Sequence, residues 1–317
     1  MASLKDFIDE WHSPDDYIVA HTSGSTGQPK EIHLLKEDMR RSARATNSFF
    51  GINSNSVLGI PLSMDYIAGK MMAVRAIEGS CRLIELPIAN QFQVNEHIDL
   101  LSVVPSQVEC ILNNPDNTKN VGAMLLGGAS LDKSLEDRLI NANIHAWIGY
   151  GMTETCSHVA LRRIAQGNSI YQAMQEVSFL TDARSCLVIE SEAFSWKCLV
   201  TNDVVRLLDS KSFEWVGRAD NVINSGGIKV YPEQIEAYIK ANIDLPPFYI
   251  TSAPSAKWGN VVAIVIQGAA SQQSLFERLL TALDWQRGTK PSVVKMIEAL
   301  PRTSNGKIRR LPINQIC

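Results

Sequence analysis

Hydrophobic and polar positions alternate with two different periods along the first half of the chain. Short apolar runs predict buried strands, and longer segments with apolar residues three or four positions apart predict helices. The predicted strands are 17–20, 56–62, 82–86, 99–104, 121–126 and 144–148, and the predicted helices are 34–50, 67–77, 105–112 and 131–141. Repeated strand–helix units of this kind predict a largely parallel sheet with ligands at the carboxyl ends of its strands.

The pattern changes from about residue 176 onward. Short alternating segments at 186–190, 196–201, 204–208 and 213–216 predict antiparallel β structure. After residues 217–220, a compact α/β unit follows, and Pro232 is suited to the first position of its helix at 233–240. The sequence thus predicts an α/β protein with a large N-terminal domain (1–217), mainly parallel with a small β-rich part, and a small C-terminal α+β domain (221–317).

Composition excludes several classes of function. The 317 residues are 45% hydrophobic and 20% charged, which is enough for a sizeable core, and the net charge of −3 does not favour nucleic acid or an acidic membrane surface. The six cysteines form no C-x-x-C pair, so neither a zinc site nor a disulfide framework is indicated. Without a signal peptide at 1–10 or an apolar run of about 18 residues, we expect a soluble, cytoplasmic protein.

A polar segment follows the first predicted strand. Residues 23–27 are Ser-Gly-Ser-Thr-Gly, and Pro29 and Lys30 come after them. Glycine backbone N–H groups, hydroxyls and an ammonium are typical of a phosphate-binding loop, although the spacing is not that of the common nucleotide loop. Alone, the segment is equally compatible with a polar turn between two strands.

Four further motifs follow this loop in order. They are Tyr-Gly-Met-Thr-Glu at 150–154, Thr-Asn-Asp at 201–203, Gly-Arg-Ala-Asp at 217–220 and Pro-Arg-Thr-Ser-Asn-Gly-Lys at 301–307. Together the five motifs span nearly the whole chain and resemble the adenylate-forming superfamily of acyl-CoA synthetases, adenylation domains and luciferases. The resemblance implies that a carboxylate is joined to the α-phosphate of ATP and then passed to a thiol. The resemblance also implies ATP, Mg²⁺ and, as cosubstrate, CoA. It implies a mobile C-terminal domain as well.

The same resemblance implies roles for individual residues. Segment 23–30 would hold the β- and γ-phosphates, Gly127 and Gly128 would lie along the adenine with Tyr150 on its other face, Asp203 would accept the ribose hydroxyls, and Arg218 would reach the ribose or a phosphate. The whole nucleotide-binding set is Thr22, Ser23, Gly24, Ser25, Thr26, Gly27, Lys30, Gly127, Gly128, Ala129, Tyr150, Gly151, Asp203 and Arg218. The catalytic set is Lys307, Thr153 and Glu154, with Glu154 also binding the metal. Asp220 would be the hinge, and Ser225, Gly226 and Gly227 would line the pantetheine tunnel.

Segments 102–107, 125–129 and 150–158 are most similar to o-succinylbenzoate–CoA ligases of menaquinone synthesis. Their acid keeps a second carboxylate, which Lys70 or Arg75 on the predicted helix 67–77 could pair with, or to which Ser157 and His158 could donate. A solvated helix face is the alternative for the two cations. The alternatives for the whole chain are another aryl- or acyl-CoA synthetase, a carrier-loading adenylation enzyme, or a catalytically silent nucleotide-binding homologue. A homo-oligomer is compatible with all of them.

Three departures from the family pattern stand out. Only 20 residues precede His21, where relatives have a longer N-terminal region. Asn202 stands where the family usually has glycine, and residues 63–66 are Ser-Met-Asp-Tyr where a histidine usually gates the acyl pocket.

Overall fold

The computed structural model describes residues 2–22, 30–128, 131–302 and 308–316, and of Thr22 the backbone only. The helices are α1 Leu4–Trp11, α2 Lys36–Phe50, α3 Ile67–Gly79, α4 Pro105–Leu112, α5 Pro115–Asn120, α6 Lys133–Asn141, α7 Pro232–Asn242 and α8 Gln273–Thr281. The strands are β1 Tyr17–Thr22, β2 Lys30–Leu35, β3 Val57–Ile60, β4 Arg82–Glu85, β5 Ile98–Val103, β6 Val121–Leu126, β7 His145–Gly151, β8 His158–Arg163, β9 Ile170–Ala173, β10 Ser178–Thr181, β11 Cys186–Glu190, β12 Cys198–Asp209, β13 Ser212–Arg218, β14 Ile223–Ser225, β15 Ile228–Val230, β16 Phe248–Ser255, β17 Gly259–Gln267 and β18 Val293–Ile297.

A mixed sheet of 11 strands is the centre of the molecule, in the order β10-β11-β12-β13-β9-β8-β7-β6-β5-β3-β4. Strands β4, β3, β5, β6 and β7 are parallel, and every pairing from β7 to β10 is antiparallel. Helices cover both faces of the parallel part because its strands are apolar on both sides. In β5, Leu100 packs with α1–α3, whereas Leu101 packs on the opposite face with α4 and α6.

The parallel strands and their helices are confirmed, but the antiparallel part is larger than the pattern indicated. It begins at β8, and β8, β9 and β10 were not predicted. The segments 196–201 and 204–208 belong to one strand, β12, whose register shifts between Val204 and Val205. The polar Thr-Asn-Asp motif interrupts the hydrophobic alternation, but the backbone stays paired with its neighbours.

The strands on either side of the polar loop form a separate antiparallel hairpin. In this hairpin β1 pairs with β2 from Tyr17↔Leu35 to Thr22↔Lys30. The buried side chains Ile18, Ala20 and Leu34 pack into the same core as α2 and α3. The first predicted strand is therefore present, but it is not a strand of the parallel sheet.

A five-stranded sheet of β14–β18 with α7 and α8 follows β13 and has its own apolar core. Between the two sheets, a short 3-10 turn covers Ala219–Asn221. A Cβ on Gly217 would lie 2.8 Å from a carboxylate oxygen of Glu233 in α7, so the start of α7 packs tightly on β13. That this unit rotates about residues 218–220 stays a prediction. No helix in the described ranges is long and apolar enough to cross a membrane.

Candidate active site

The β7–β8 hairpin carries the Tyr-Gly-Met-Thr-Glu motif. Strand β7 ends at Gly151, a 3-10 turn covers Thr153–Thr155, and β8 begins at His158. A Cβ on Gly151 would lie 2.2 Å from the Ser157 carbonyl oxygen, so this position accepts only glycine without moving the hairpin. The buried Thr155 hydroxyl accepts from the Met152 backbone N–H at 3.0 Å, which fixes the turn.

Thr153 and Glu154 project from this turn, which packs against the β1–β2 hairpin. Both are half-buried, and Glu154 makes no hydrogen bond or ion pair with another described residue. Thr22 and Lys30 are paired with each other at the end of the β1–β2 hairpin. Of the other predicted nucleotide residues, Ser23 to Gly27, Ala129 and Lys307 lie outside the described residues.

Asp203 is surrounded by three donors. The Tyr150 hydroxyl donates to Oδ2 at 2.8 Å, and the Trp215 indole and Arg218 Nη1 lie 3.2 and 3.4 Å from Oδ1. Burial and then the Asp203 charge raise the pKa of Tyr150, so its hydroxyl remains a donor. The predicted adenine and ribose residues Tyr150, Asp203 and Arg218 are thus brought together. Trp215 was not predicted, although it stands two positions before the Gly-Arg-Ala-Asp motif.

Arg218 joins this cluster to the predicted hinge. Its Nη2 donates to Asp220 at 2.9 Å, and Asn202 also donates to the same carboxylate at 3.3 Å. Burial works to lower the pKa of Arg218, but Asp203 and Asp220 outweigh it and the pKa is raised. The residue that departs from the family pattern, Asn202, therefore contacts the side chain of Asp220.

The predicted adenine loop begins directly after β6. Gly128 has a φ of +83°, which glycine adopts without strain. A Cβ on Gly127 would meet no described residue within 4 Å. Beside them, the buried Gln107 donates to the Pro61 and Ala89 carbonyls, each at 3.0 Å. An open backbone surface at the end of a parallel strand is a usual place for a ligand.

The side chains of Arg75, Ser157 and His158 lie together where strand β8 begins. Arg75 Nη2 donates to the Ser157 hydroxyl at 2.6 Å, and that hydroxyl lies 3.2 Å from His158 Nδ1. On the other side of the imidazole, Nε2 lies 3.2 Å from the Thr46 hydroxyl of α2. Three of the four predicted acid residues are brought together. Thr46 was missed because nothing in its sequence context marks it as the partner of a residue 112 positions away.

The Arg75 guanidinium is buried without a counter-ion among the described residues. The residue is only 1% exposed, and within the described ranges Nε has no hydrogen-bond partner and Nη1 makes a single 3.4 Å contact, to the Met72 sulfur. Burial lowers the pKa of Arg75 to about 9. An unpaired buried cation is costly, and a bound anion would offset that cost.

Lys70 lies away from this cluster. Its ammonium donates to the Val19 carbonyl at 3.0 Å, lies 3.4 Å from Glu10 and stands 5.3 Å from the Phe7 ring centre. Residues five apart on a helix point about 140° apart, because each residue turns the helix by about 100°. Lys70 and Arg75 therefore serve different surfaces, and Lys70 secures α1 and β1.

The predicted pantetheine residues form a tight turn in the five-stranded sheet. Ser225 ends β14, and Gly226 and Gly227 have φ values of +58° and +87°. A Cβ on Gly226 would lie 2.6 Å from the half-exposed Trp258 ring, so the glycine allows the indole to cover the turn. The turn belongs to a different sheet from the Arg75 cluster.

A magnesium site can be tested against the donors present. No group of three or more His, Cys, Asp or Glu side chains lies together in the ranges that the structure describes. Mg²⁺ needs only one or two carboxylates when phosphate oxygens complete its shell. The uncommitted Glu154 carboxylate beside the β1–β2 hairpin fits that requirement.

The comparison with protein families decides the class. Residues 3–184, more than half of the chain, match the model of the AMP-binding enzyme family. This chain belongs to that family. The resemblance inferred from the five motifs is confirmed, and the chain is an adenylate-forming ligase.

The relatives differ in the acids that their names give. An acyl-CoA synthetase (AMP-forming)/AMP-acid ligase II-like protein from Dyadobacter fermentans is 31% identical, with a TM-score of 0.64 over 96% of this chain and 90% of that one. The 2-succinylbenzoate–CoA ligase of Listeria monocytogenes is 25% identical over 96% of this chain and 70% of its own length. The long-chain-fatty-acid–CoA ligase FadD13 of Mycobacterium tuberculosis is 24% identical over 95% and 67%.

Some of the similar solved structures contain a bound nucleotide, and one of them illustrates the fold. It is the o-succinylbenzoate coenzyme A synthetase of Bacillus subtilis in complex with ATP and magnesium ion, 18% identical, with a TM-score of 0.74 over 92% of this chain and 68% of that one. At this identity, the likeness establishes the shared fold.

Proposed function

We propose that this chain is an AMP-forming acid–CoA ligase whose acid has two carboxylates, with 2-succinylbenzoate as the substrate. The observation that carries the proposal is the buried Arg75, which has no ion pair with any described residue. One carboxylate of the acid would react and the other would pair with the guanidinium. The 2-succinylbenzoate ligases among the relatives support this choice.

In this reaction, an oxygen of the reacting carboxylate attacks the α-phosphorus of ATP, and pyrophosphate leaves with the electrons of the broken P–O bond. The mixed anhydride that results would then be attacked by the thiol of CoA, releasing AMP. Most of the catalysis is positioning and stabilisation of charge on phosphates. Lys307 would bridge the carboxylate and the α-phosphate, and Thr153 would contact that phosphate.

The nucleotide would be held from both ends. Asp203 and Arg218 would contact the ribose, and Tyr150 and the Gly127–Gly128 backbone would enclose the adenine. The 22–30 loop would surround the β- and γ-phosphates. Glu154 would hold Mg²⁺, which when bound neutralises charge on the phosphate oxygens.

The proposed acid anchor and the proposed metal ligand would both lie at the β7–β8 hairpin. Ser157, which contacts Arg75, stands only three residues after Glu154. An acid anchored at Arg75 would thus reach the phosphates across the same turn. A fatty-acyl enzyme needs an apolar tunnel at this place, and an unpaired guanidinium disfavours that function.

The test measures pyrophosphate release from ATP and Mg²⁺ with 2-succinylbenzoate, benzoate, acetate and a long-chain fatty acid, each with CoA added afterwards. We expect release with 2-succinylbenzoate alone, and its loss in Lys307→Ala. Release with the fatty acid alone would keep the reaction and overturn the acid. ATP binding without release for any acid would favour a silent homologue.

A further inference from the structure

One assignment of donors and acceptors satisfies all the hydrogen bonds around His158. The Thr46 hydroxyl has one proton, which it donates to the Ser42 carbonyl one helical turn earlier, at 2.9 Å. At the 3.2 Å contact with His158 Nε2, Thr46 is therefore the acceptor and the imidazole is the donor. This assigns the proton of a neutral His158 to Nε2.

The other imidazole nitrogen then accepts. Ser157 donates its single proton to His158 Nδ1 at 3.2 Å, and its oxygen in turn accepts from Arg75 Nη2 at 2.6 Å. Every hydroxyl in the chain from Arg75 to Ser42 donates once and accepts once. Thr46 is 0% exposed and His158 is 9% exposed, so water cannot readily replace either partner.

This series of contacts orients a cation without neutralising it. A carboxylate at the position of Ser157 or His158 would also hold Arg75, but it would satisfy the guanidinium and compete with a bound anion. Gly149 makes room for the imidazole, because a Cβ there would lie 3.0 Å from His158 Cβ. The glycine at position 149 of β7 therefore leaves space for His158 beside it.

We propose that Thr46 and His158 are positioning residues that, through Ser157, hold the Arg75 guanidinium in the orientation that selects an acid with a second carboxylate. The proposal rests on the function proposed above. It assigns a specificity role to α2, which contributes no residue to the five motifs.

The first test compares dissociation constants for 2-succinylbenzoate and for two analogues that each lack one of its carboxylates, 3-benzoylpropionate and 2-propanoylbenzoate. In Thr46→Val, which keeps the shape and removes the hydroxyl, we expect the preference for the dicarboxylate to fall about threefold to tenfold, as loss of one hydrogen bond implies. Thr46→Ser should keep the preference. Thr118→Val is the matched control, because Thr118 also donates from a helix to a backbone carbonyl, that of Ile111, at 2.7 Å.

The second test needs no substrate. The ¹⁵N chemical shifts of the His158 ring, assigned by comparison with His158→Asn, distinguish the two neutral tautomers. We expect the Nε2–H form in the parent protein, and a change in the ring shifts in Thr46→Val but not in Thr118→Val.

The outcomes separate the two proposals. If the parent protein prefers the dicarboxylate and Thr46→Val retains that preference, or if His158 is in the Nδ1–H form, the positioning role is overturned while the proposed function stands. If the parent protein shows no preference for the dicarboxylate, the proposed function fails and the positioning role fails with it. A reduced preference in Thr46→Val with the Nε2–H form supports both.

Discussion

The acid cluster (Arg75, Ser157, His158 and Thr46) and the ribose cluster (Tyr150, Asp203, Trp215 and Arg218) meet different strands of one hairpin, β8 and β7. The two clusters have opposite electrostatic arrangements. Around Asp203, a half-buried carboxylate already has a tyrosine, an indole and an arginine as donors. Around Arg75, a fully buried cation has only neutral partners in the described part of the chain. To bind a ligand, Asp203 would have to give up hydrogen bonds that it already makes. Arg75, in contrast, would gain an anionic partner that no described residue provides.

The largest effect is expected from Arg75→Met. Truncating one side of a buried charge pair typically costs about 2–5 kcal/mol of binding, so kcat/KM for the dicarboxylate should fall by at least about 30-fold. Because Arg75 has no ion pair with a described residue that the change would break, the melting temperature of the free protein should rise by about 2–4 °C, as for about 1 kcal/mol. Steady-state kinetics and calorimetric melting measure the two effects.

The control for this change is Arg82→Met, which removes an exposed arginine paired with Glu96 on the surface. It should alter neither quantity appreciably, since exposed pairs contribute little. A fall in the melting temperature of Arg75→Met would mean that the guanidinium already has a partner that stabilises it.

The second effect is expected from Asp203→Asn. The amide has no charge, and its NH₂ group faces donors instead of accepting from them. Loss of charged hydrogen bonds worth about 1.5–3 kcal/mol should weaken ATP binding about 10-fold to 100-fold. Titration calorimetry with ATP and Mg²⁺ measures this change, and the dissociation constant of the acid should stay the same.

Asp209→Asn provides a matched control on the same strand. Its carboxylate is exposed and accepts from the Lys211 backbone N–H at 2.7 Å. Equal losses of ATP affinity in both variants would exclude a specific role for Asp203.

The smallest effect concerns protons on His158. Burial, and then the Arg75 charge, hold the pKa of His158 well below 6.5. The unfolded chain therefore binds a proton below about pH 6.5 that the folded chain does not, and the folded state loses stability as the pH falls. At about one pH unit below 6.5 the loss is about 1.4 kcal/mol.

Urea unfolding between pH 7.5 and 5.5 checks this sign. The difference in unfolding free energy between the parent protein and His158→Asn should shrink as the pH falls, because the variant lacks this titration while the other histidines remain. Parallel curves would show that His158 is able to take up a proton in the folded state.

Local patterns predicted what local physics determines. The apolar runs located β3 to β7 and their helices, since buried parallel strands are continuously apolar. The apolar runs did not predict β8 and β9, which include the polar residues Arg162, Arg163 and Gln172, nor the continuity of β12 through its bulge. These segments are held as strands by pairing with their neighbours, although their sequences lack the hydrophobic pattern of a strand.

The sites followed the same rule. The sequence predicted Tyr150, Asp203 and Arg218 at the nucleotide and Arg75, Ser157 and His158 at the acid. It did not predict that Arg75 contacts Ser157, because the two residues were weighed as alternatives. The separation of Lys70 from Arg75 could have been inferred, because it needs only the helical period. Thr46 could not, since its contact with His158 depends on how α2 packs beneath β8.

The close approach of the Ser157 carbonyl to Gly151 would limit any redesign of this protein for a new acid. Residues 157 and 158 are the obvious positions to vary, yet the backbone there is pressed against the strand that holds Tyr150. A change of main-chain path on the acid side would be transmitted to the turn with Glu154. In the proposed site, a change of backbone at residues 157 and 158 would therefore alter acid selection and nucleotide binding together. Side chains of α2 and α3 would be the better positions to vary for a new acid.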